Sequence, residues 1–166
     1  MTEVRWATPE DAEALADVHV TTWQHAYAGI FPDSFLAGID RGARQRWWRK
    51  FLEDGARVHV AEADGVVGFC HPGRSDDDGW GEIFSIYVHP HSWGQGHGHA
   101  LLAAGESTIL SLGLERALLW VLEDNPRARR FYERQGWALG RPFRVEEIGG
   151  VQVTEVRYEK SLTAGP

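Results

Sequence analysis

Apolar side chains recur along this chain with two spacings, and each spacing predicts a type of secondary structure. Val4–Trp6 is typical of a short strand, and Thr8–Asp11 then opens a helix, with Thr8 as N-cap and a proline in the first turn. The helical spacing of Leu15, Val18 and Thr22 continues that helix. Alternating apolar residues dominate the middle of the chain and its last third, where we predict most of the strands.

The order of the remaining elements predicts the fold class. They are helical segments between Pro32 and Gly38, over Arg41–Leu52, from Gly98 to Leu112 and from Pro126 to Gly136, and strands at Val58–Ala61, Val66–Cys70, Gly81–Val88 and Ala117–Leu122, followed by two strands joined at Gly149-Gly150. Three hairpin-linked strands followed by a β-α-β crossover predict an α/β protein with a mixed antiparallel and parallel sheet. Helices are expected on both faces of that sheet.

Length and composition narrow the class of protein. With 166 residues, we expect a single domain over residues 1–166. Lys and Arg number 17 against 24 Asp and Glu, and the net charge of −7 disfavours nucleic acid as a partner. The start of the chain lacks a signal peptide's apolar stretch, and the longest strongly apolar run, Ala117–Leu122, is too short to span a membrane. We therefore expect a soluble, cytoplasmic protein with no membrane partner, in which the acidic run Ser75–Gly79 is a solvated turn.

A glycine-rich turn after the strand Gly81–Val88 is the clearest chemical signal. Gly94, Gly96 and Gly98 precede a predicted helix, and free N–H groups at a helix start form an anion site that glycines let a phosphate approach. His99 follows the last glycine where a Walker loop needs Lys, and no register of the turn matches a dinucleotide fingerprint. The turn predicts a different phosphate ligand, with a purely structural turn as the alternative.

Two segments together resemble the GNAT superfamily of acetyl-CoA-dependent N-acetyltransferases. That family carries a strand and then Gln/Arg-x-x-Gly-x-Gly/Ala at the start of a helix, and Trp93–Gly98 fits the glycine positions, with Trp93 in place of Gln or Arg. Asn125–Trp137 resembles the family's Asn-x-x-Ala-x-x-x-Tyr-x-x-x-Gly-Phe helix. The clear match covers Glu82 to Trp137, and Thr22–Tyr27 resembles acceptor-side sequence in many members.

The resemblance implies a GNAT-like fold and an acyltransferase whose co-substrate is acetyl-CoA. In that fold the strand at Glu82–Val88 splays from Ala117–Leu122, and the pantetheine arm pairs with the exposed main chain as an extra strand would. The N–H of Val88 is expected to polarise the thioester carbonyl, and His97 or His99 to lie near the pyrophosphate. The expected cofactor-binding residues are Ile86, Tyr87, Val88, Trp93, Gly94, Gln95, Gly96, His97, Gly98, His99, Asn125 and Arg129, the last within a basic run (Arg127, Arg129, Arg130) that is equally consistent with a solvated helix face.

Glu82 is the candidate general base that takes a proton from the acceptor amine, acting through water. If the strand alternates, Glu82 shares an apolar face with Phe84, Ile86 and Val88, and burial there raises the pKa of the carboxyl toward neutral pH. Its separation from Gly96 also matches the family position of a catalytic glutamate. A solvent-exposed glutamate at a strand end is the alternative.

Tyr132 occupies the family position of the group that protonates the departing thiolate, with a packing role as the alternative. His89 and His91 are backup bases, because imidazole titrates in the required range. These histidines, with His97 and His99, have no Cys or carboxylate to complete a ligand set, so we expect no metal.

The acceptor is expected to be a primary amine, on a small molecule or at a peptide N-terminus. Trp23, Tyr27 and Phe31 are the candidate substrate residues, because an aromatic wall favours a cationic acceptor, although core packing explains these rings equally well. Dimers are common in the family that the chain resembles, so a homodimer is a possible assembly. Two further functions stay open: a non-catalytic acyl-CoA sensor, and an acyltransferase that uses a longer acyl chain.

Overall fold

One mixed seven-stranded sheet organises the computed structural model, which describes residues 2–163. Its strands are β1 (Glu3–Trp6), β2 (His59–Glu62), β3 (Val66–Arg74), β4 (Gly81–Val88), β5 (Arg116–Leu122), β6 (Ala138–Ile148) and β7 (Val151–Ser161). Their order across the sheet is β1-β2-β3-β4-β5-β7-β6, and all neighbours are antiparallel except the parallel pair β4 and β5. The mixed α/β architecture predicted from the element order is confirmed.

Within residues 2–163, five α-helices connect these strands: α1 (Ala12–Ala26), α2 (Asp33–Ala37), α3 (Arg41–Glu53), α4 (His97–Ser111) and α5 (Pro126–Arg134). Side-chain caps explain two of the starts, since Asp40 accepts a hydrogen bond from the Ala43 N–H at 3.0 Å and Asn125 accepts one from the Ala128 N–H at 3.2 Å. Helix α1 begins at Ala12 after a single 3-10 turn, later than predicted. None of the helices in the described part of the chain has the length and apolar character that a membrane crossing needs.

The two faces of the sheet pack against different helices. Side chains of α1 and α3, among them Leu15 and Trp48, pack with Phe69 of β3 on one face. Helix α4 covers the other face, where Ile109 packs in one cluster with Cys70. Phe69 and Cys70 are consecutive, so the alternation of β3 sends one side chain into each layer. Each layer therefore depends on the same central strands.

Strand β4 contains a bulge that the sequence alternation did not predict. Its register with β3 shifts by one residue, which leaves Phe84 without a cross-strand partner. Beyond the bulge, Ile86 and Val88 pack against the α4-side cluster together with Ile83. Glu82, which precedes Ile83, points to the opposite face. The expectation that Glu82 shares a face with Ile86 and Val88 is therefore wrong, because the extra residue reverses the alternation between them.

Candidate active site

Strands β4 and β5 are paired at one end and separate toward the other. Their parallel register joins Gly81 to Ala117 and Glu82 to Leu118, and no further pair follows in the described residues. Alternate backbone groups of residues 83–88 therefore face a gap in place of a neighbouring strand. The gap opens into a cavity of about 760 Å³, within the range typical of small-molecule sites. The predicted splayed strand pair is confirmed, and Ile86, Tyr87 and Val88 all line the cavity.

The loop before α4 brings glycine main chain to the wall of this cavity. Gly94 and Gly96 have φ angles of +76° and +87°, which L side chains rarely adopt, and Gly96 is the residue that caps α4. The N–H groups in the first turn of α4 have no partners within the helix, and the helix dipole favours negative charge there. Gly94, Gly96 and Gly98 line the cavity. The arrangement can serve as a cradle for a phosphate group.

Gln95 of this loop and His97 and His99 of the first turn of α4 are also predicted to bind the cofactor, and both histidines line the cavity. The imidazole of His97 is buried, with Nδ1 2.8 Å from Thr2 Oγ1 near the N-terminus. His99 is exposed, and its Nδ1 lies 2.5 Å from Gln135 Oε1. Gln95 is exposed and does not line the cavity. These positions can contribute to a phosphate site mainly through their main chain.

Trp93 connects the loop to the end of β4. Its indole N–H donates a 2.7 Å hydrogen bond to the carbonyl of Val88. The guanidinium of Arg127 lies 3.4 Å from the centre of the indole ring, and His25 meets the same ring edge-on at 5.1 Å. Trp93, which departs from the family motif, therefore links β4, the loop and α5.

Glu82 lines the cavity and is the last residue of β4 that pairs with β5. Ser75 Oγ donates a 2.8 Å hydrogen bond to its Oε1. Partial burial raises the pKa of the Glu82 carboxyl, opposed by the Ser75 hydrogen bond and by the charge of Arg144. A raised pKa suits a base that works near neutral pH. Neither His89 nor His91 lines the cavity.

Tyr132 projects from α5 into the cavity wall and is 8% exposed. Burial raises the pKa of its phenol, so the hydroxyl is protonated at neutral pH and can donate a hydrogen bond. No protein partner for that hydroxyl occurs in residues 2–163. Its proton is therefore available to a group inside the cavity.

Two arginines of α5 lie in different places relative to the cavity, and the one predicted to bind the cofactor lies outside it. Arg129, predicted to contact the cofactor, donates hydrogen bonds of 3.1 Å to the Tyr158 hydroxyl and the Glu123 carbonyl, and it does not line the cavity. Arg127 lines the cavity instead. Asn125 also lines it while capping α5, which confirms the predicted cap.

Trp23, Tyr27 and Phe31 line the cavity, as predicted for the substrate residues. The rings of Trp23 and Tyr27 meet edge-on at 4.9 Å, and Trp23 stacks on Phe31 at 5.7 Å. The Trp23 indole N–H donates to the Tyr87 hydroxyl at 3.1 Å, which ties this aromatic group to β4. Tyr27 and Phe31 also pack with Leu36 in a buried cluster. The three rings therefore belong to the core and to the cavity wall at once.

Arg144, Glu155 and Trp120 also line the cavity, and the sequence analysis missed them. Arg144 of β6 bonds Glu155 of β7 at 2.9 Å, and its guanidinium lies 4.4 Å from the Trp120 ring of β5. The predicted turn at Gly149-Gly150 contains the signal that could have found the pair. Counting outward from a two-residue turn pairs residue 148 with residue 151, and hence Arg144 with Glu155.

Residues 14–137 match the model of the acetyltransferase (GNAT) family. The chain therefore belongs to this family and is an acyltransferase, which confirms the resemblance seen in the glycine turn and in Asn125–Trp137.

Comparison with full-length relatives agrees with that assignment. The chain is 34% identical over 163 residues to the uncharacterized N-acetyltransferase YuaI of Bacillus subtilis, an alignment that covers 94% of this chain and 91% of that protein. It superposes with a TM-score of 0.71 and 21% identity on the PaiA N-acetyltransferase of Thermoplasma acidophilum in complex with coenzyme A, covering 97% and 99% of the two chains. For YncA of Salmonella typhimurium, a putative acetyltransferase solved with acetyl-CoA, the TM-score is 0.72 at 22% identity, covering 100% and 96%. The two superpositions show a shared fold.

Proposed function

We propose that this protein transfers the acetyl group of acetyl-CoA to a primary amine, on a small molecule or a peptide N-terminus, by direct attack in a ternary complex. One observation carries the proposal: a single cavity joins an N–H cradle, an unpaired strand edge, a carboxyl group of raised pKa and a protonated phenol. The superposed proteins whose structures contain coenzyme A or acetyl-CoA support the choice of co-substrate.

The residues that line the cavity support binding of an extended thioester. The amides around Gly94, Gly96 and the first turn of α4 would hold the pyrophosphate, with Arg127 as a nearby cation. The unpaired edge of β4 would accept the amide-bearing pantetheine arm as an added strand. A main-chain N–H at Val88 would stabilise the negative charge that develops on the thioester oxygen. These contacts would bring the carbonyl carbon beside the acceptor and would account for much of the catalysis.

Two side chains then manage the protons. An amine is mostly protonated at neutral pH, and Glu82 would take, through water, the proton that it must lose before its lone pair attacks the carbonyl carbon. The carbon–sulfur bond then breaks, and Tyr132 would protonate the departing thiolate. The acylated nitrogen would lose its remaining extra proton through water, which restores the Tyr132 phenol. No acyl-enzyme is needed, and Cys70 is unsuited to form one because burial raises the pKa of its thiol.

The acceptor would lie against the aromatic rings of Trp23, Tyr27 and Phe31. The aromatic rings of Trp23 and Phe31 would favour a cationic group there, with a cation–π contribution of about 0.5–2 kcal/mol, whereas the carboxylate of Glu155 is already paired with Arg144. This surrounding supports an ammonium-bearing acceptor.

Release of free coenzyme A thiol from acetyl-CoA tests the proposal directly. The panel of acceptors is spermidine, glucosamine, tyramine and short peptides with free N-termini. We expect at least one amine to give turnover, and we expect Glu82→Gln and Tyr132→Phe to lower kcat more than they weaken acetyl-CoA binding. Tight acetyl-CoA binding without thiol release for any amine would support a sensor, and faster turnover with a longer acyl-CoA would revise the acyl group.

A further inference from the structure

The acidic turn between β3 and β4 is an ordered structure that contacts the proposed base. The N–H of Ser75 donates to the Trp80 carbonyl at 2.9 Å, and the Trp80 N–H donates to the Asp77 carbonyl at 3.1 Å. The Asp77 N–H donates to Ser75 Oγ at 3.1 Å, and the Ser75 hydroxyl donates to Glu82 Oε1 at 2.8 Å. Because the hydroxyl oxygen already accepts a hydrogen bond from the turn, its proton is directed to the carboxylate.

Strand β7 anchors this turn to the sheet. Arg157 is almost fully buried and forms an ion pair with the carboxylate of Asp77. Its guanidinium also lies 4.7 Å from the centre of the Trp80 ring, and that of Arg116 lies 4.3 Å from the same ring. A solvated loop, as the sequence predicts for Ser75–Gly79, would need none of these contacts. The turn is instead held by contacts at Asp77 and Trp80, and these fix its position relative to Glu82.

We propose that Ser75 is a positioning residue for Glu82: its hydroxyl, held by the anchored turn, fixes one carboxylate oxygen so that the other faces the acceptor in the cavity. This inference rests on the proposed function, in which Glu82 is the base. In addition to the base itself, catalysis would require the Ser75 hydroxyl, which orients the Glu82 carboxylate. The same hydroxyl also influences the pH at which Glu82 loses its proton.

The groups around Glu82 determine the direction in which each substitution should shift the pKa of its carboxyl. Ser75 and the charge of Arg144 favour the ionised carboxylate, whereas Asp76 and Asp77 disfavour it. The neighbour on β5, Leu118, is uncharged. Removing the Ser75 hydroxyl therefore raises the pKa of Glu82, and neutralising Asp76 lowers it.

The test compares Ser75→Ala with Asp76→Asn, using the amine of the panel that gives the highest rate. For Ser75→Ala we expect the acid limb of kcat/KM to move up by about one pH unit, and kcat on the plateau to fall roughly fivefold to tenfold, with an unchanged KM for acetyl-CoA. For Asp76→Asn we expect the acid limb of kcat/KM to move to lower pH. Ser75→Thr keeps a hydroxyl and should restore the wild-type limb, and Asp78→Asn, an exposed change in the same turn, should leave it in place.

A second measurement does not depend on the acceptor. The ¹³C signal of the Glu82 carboxyl, assigned by its absence from Glu82→Gln, reports the pKa of that group directly. It should titrate higher in Ser75→Ala and lower in Asp76→Asn. If Glu82→Gln abolishes turnover but Ser75→Ala keeps the wild-type limb and titration, the positioning role fails while the proposed base stands. If Glu82→Gln retains full turnover, the proposed base and the positioning role both fail.

Discussion

At the scale of single residues, the protonation of Glu82 determines when the proposed chemistry can run. Burial raises the pKa of its carboxyl, and a base must be ionised to accept a proton. We therefore expect kcat/KM to fall as the pH is lowered through that pKa, at a midpoint above the value of about 4.3 found for exposed glutamates.

The pH profile of kcat/KM for the wild type and for Glu82→Gln measures this. The acceptor amine itself titrates at higher pH, and that second limb should persist in both proteins. The limb that belongs to Glu82 should disappear from the variant, whose residual rate should be lower by about 10²-fold or more. An acid limb that is identical in both proteins would assign it to another group.

Tyr132 permits a prediction with a well-matched control. Tyr132→Phe removes one hydroxyl from the cavity wall and should lower kcat by about 10²-fold, because the thiolate then leaves without a proton donor. Tyr158→Phe makes the same change at a buried tyrosine outside the cavity, bonded to Arg129 and Glu133. It should cost about 1 kcal/mol of stability and leave kcat close to wild type. Steady-state kinetics and urea unfolding of both variants would contradict the assignment if Tyr132→Phe kept the full kcat.

At the scale of elements, the loop before α4 should bind phosphate through its backbone shape. Gly96→Ala places a methyl group on a backbone with φ of +87° at the start of the helix, a strain of about 1–2 kcal/mol. It also adds an atom beside the proposed phosphate site. We expect the Kd for coenzyme A, measured by calorimetry, to rise roughly tenfold.

Gly55 supplies the control for that change. It follows α3 with φ of +98°, has open space around it as Gly96 does, and lies outside the cavity. Gly55→Ala should therefore cause a similar loss of stability without changing the affinity for coenzyme A. Equal losses of affinity in the two variants would show that strain alone, and not the cradle, weakens binding.

The sequence predicts those elements whose causes are local. Asn125 caps α5, and the turn at Gly149-Gly150 joins β6 to β7, because the residues responsible lie within a few positions of the feature they create. The bulge at Phe84 depends on how β4 packs against β3 and α4, so no local pattern reveals it. The imidazole of His97 is likewise placed by Thr2, 95 positions away in the chain.

At the scale of the whole molecule, the helix layers and the cavity share their aromatic side chains. His19 of α1 lies among the rings of Trp23, Trp48, Phe69 and Tyr87, at centroid distances between 5.4 and 6.2 Å. Trp23 and Tyr87 line the cavity, whereas Trp48 and Phe69 belong to the core between α1, α3 and the sheet. A charge at His19 would therefore disturb both the core and the cavity wall.

Burial lowers the pKa of His19 to about 4, with the charge of Arg44 acting in the same direction. In the unfolded chain an ordinary histidine titrates near pH 6.5, so between these values the unfolded state binds the proton more readily. Protonation of His19 therefore does not lower the free energy of unfolding above about pH 6.5. As the pH falls toward 4, it lowers that free energy by up to about 3 kcal/mol. His19→Gln, which does not titrate there, should lose less unfolding free energy than the wild type between pH 7 and pH 4 in urea titrations. His91→Gln, at an exposed position, should follow the wild type, and equal losses in all three proteins would show that His19 is not the group responsible.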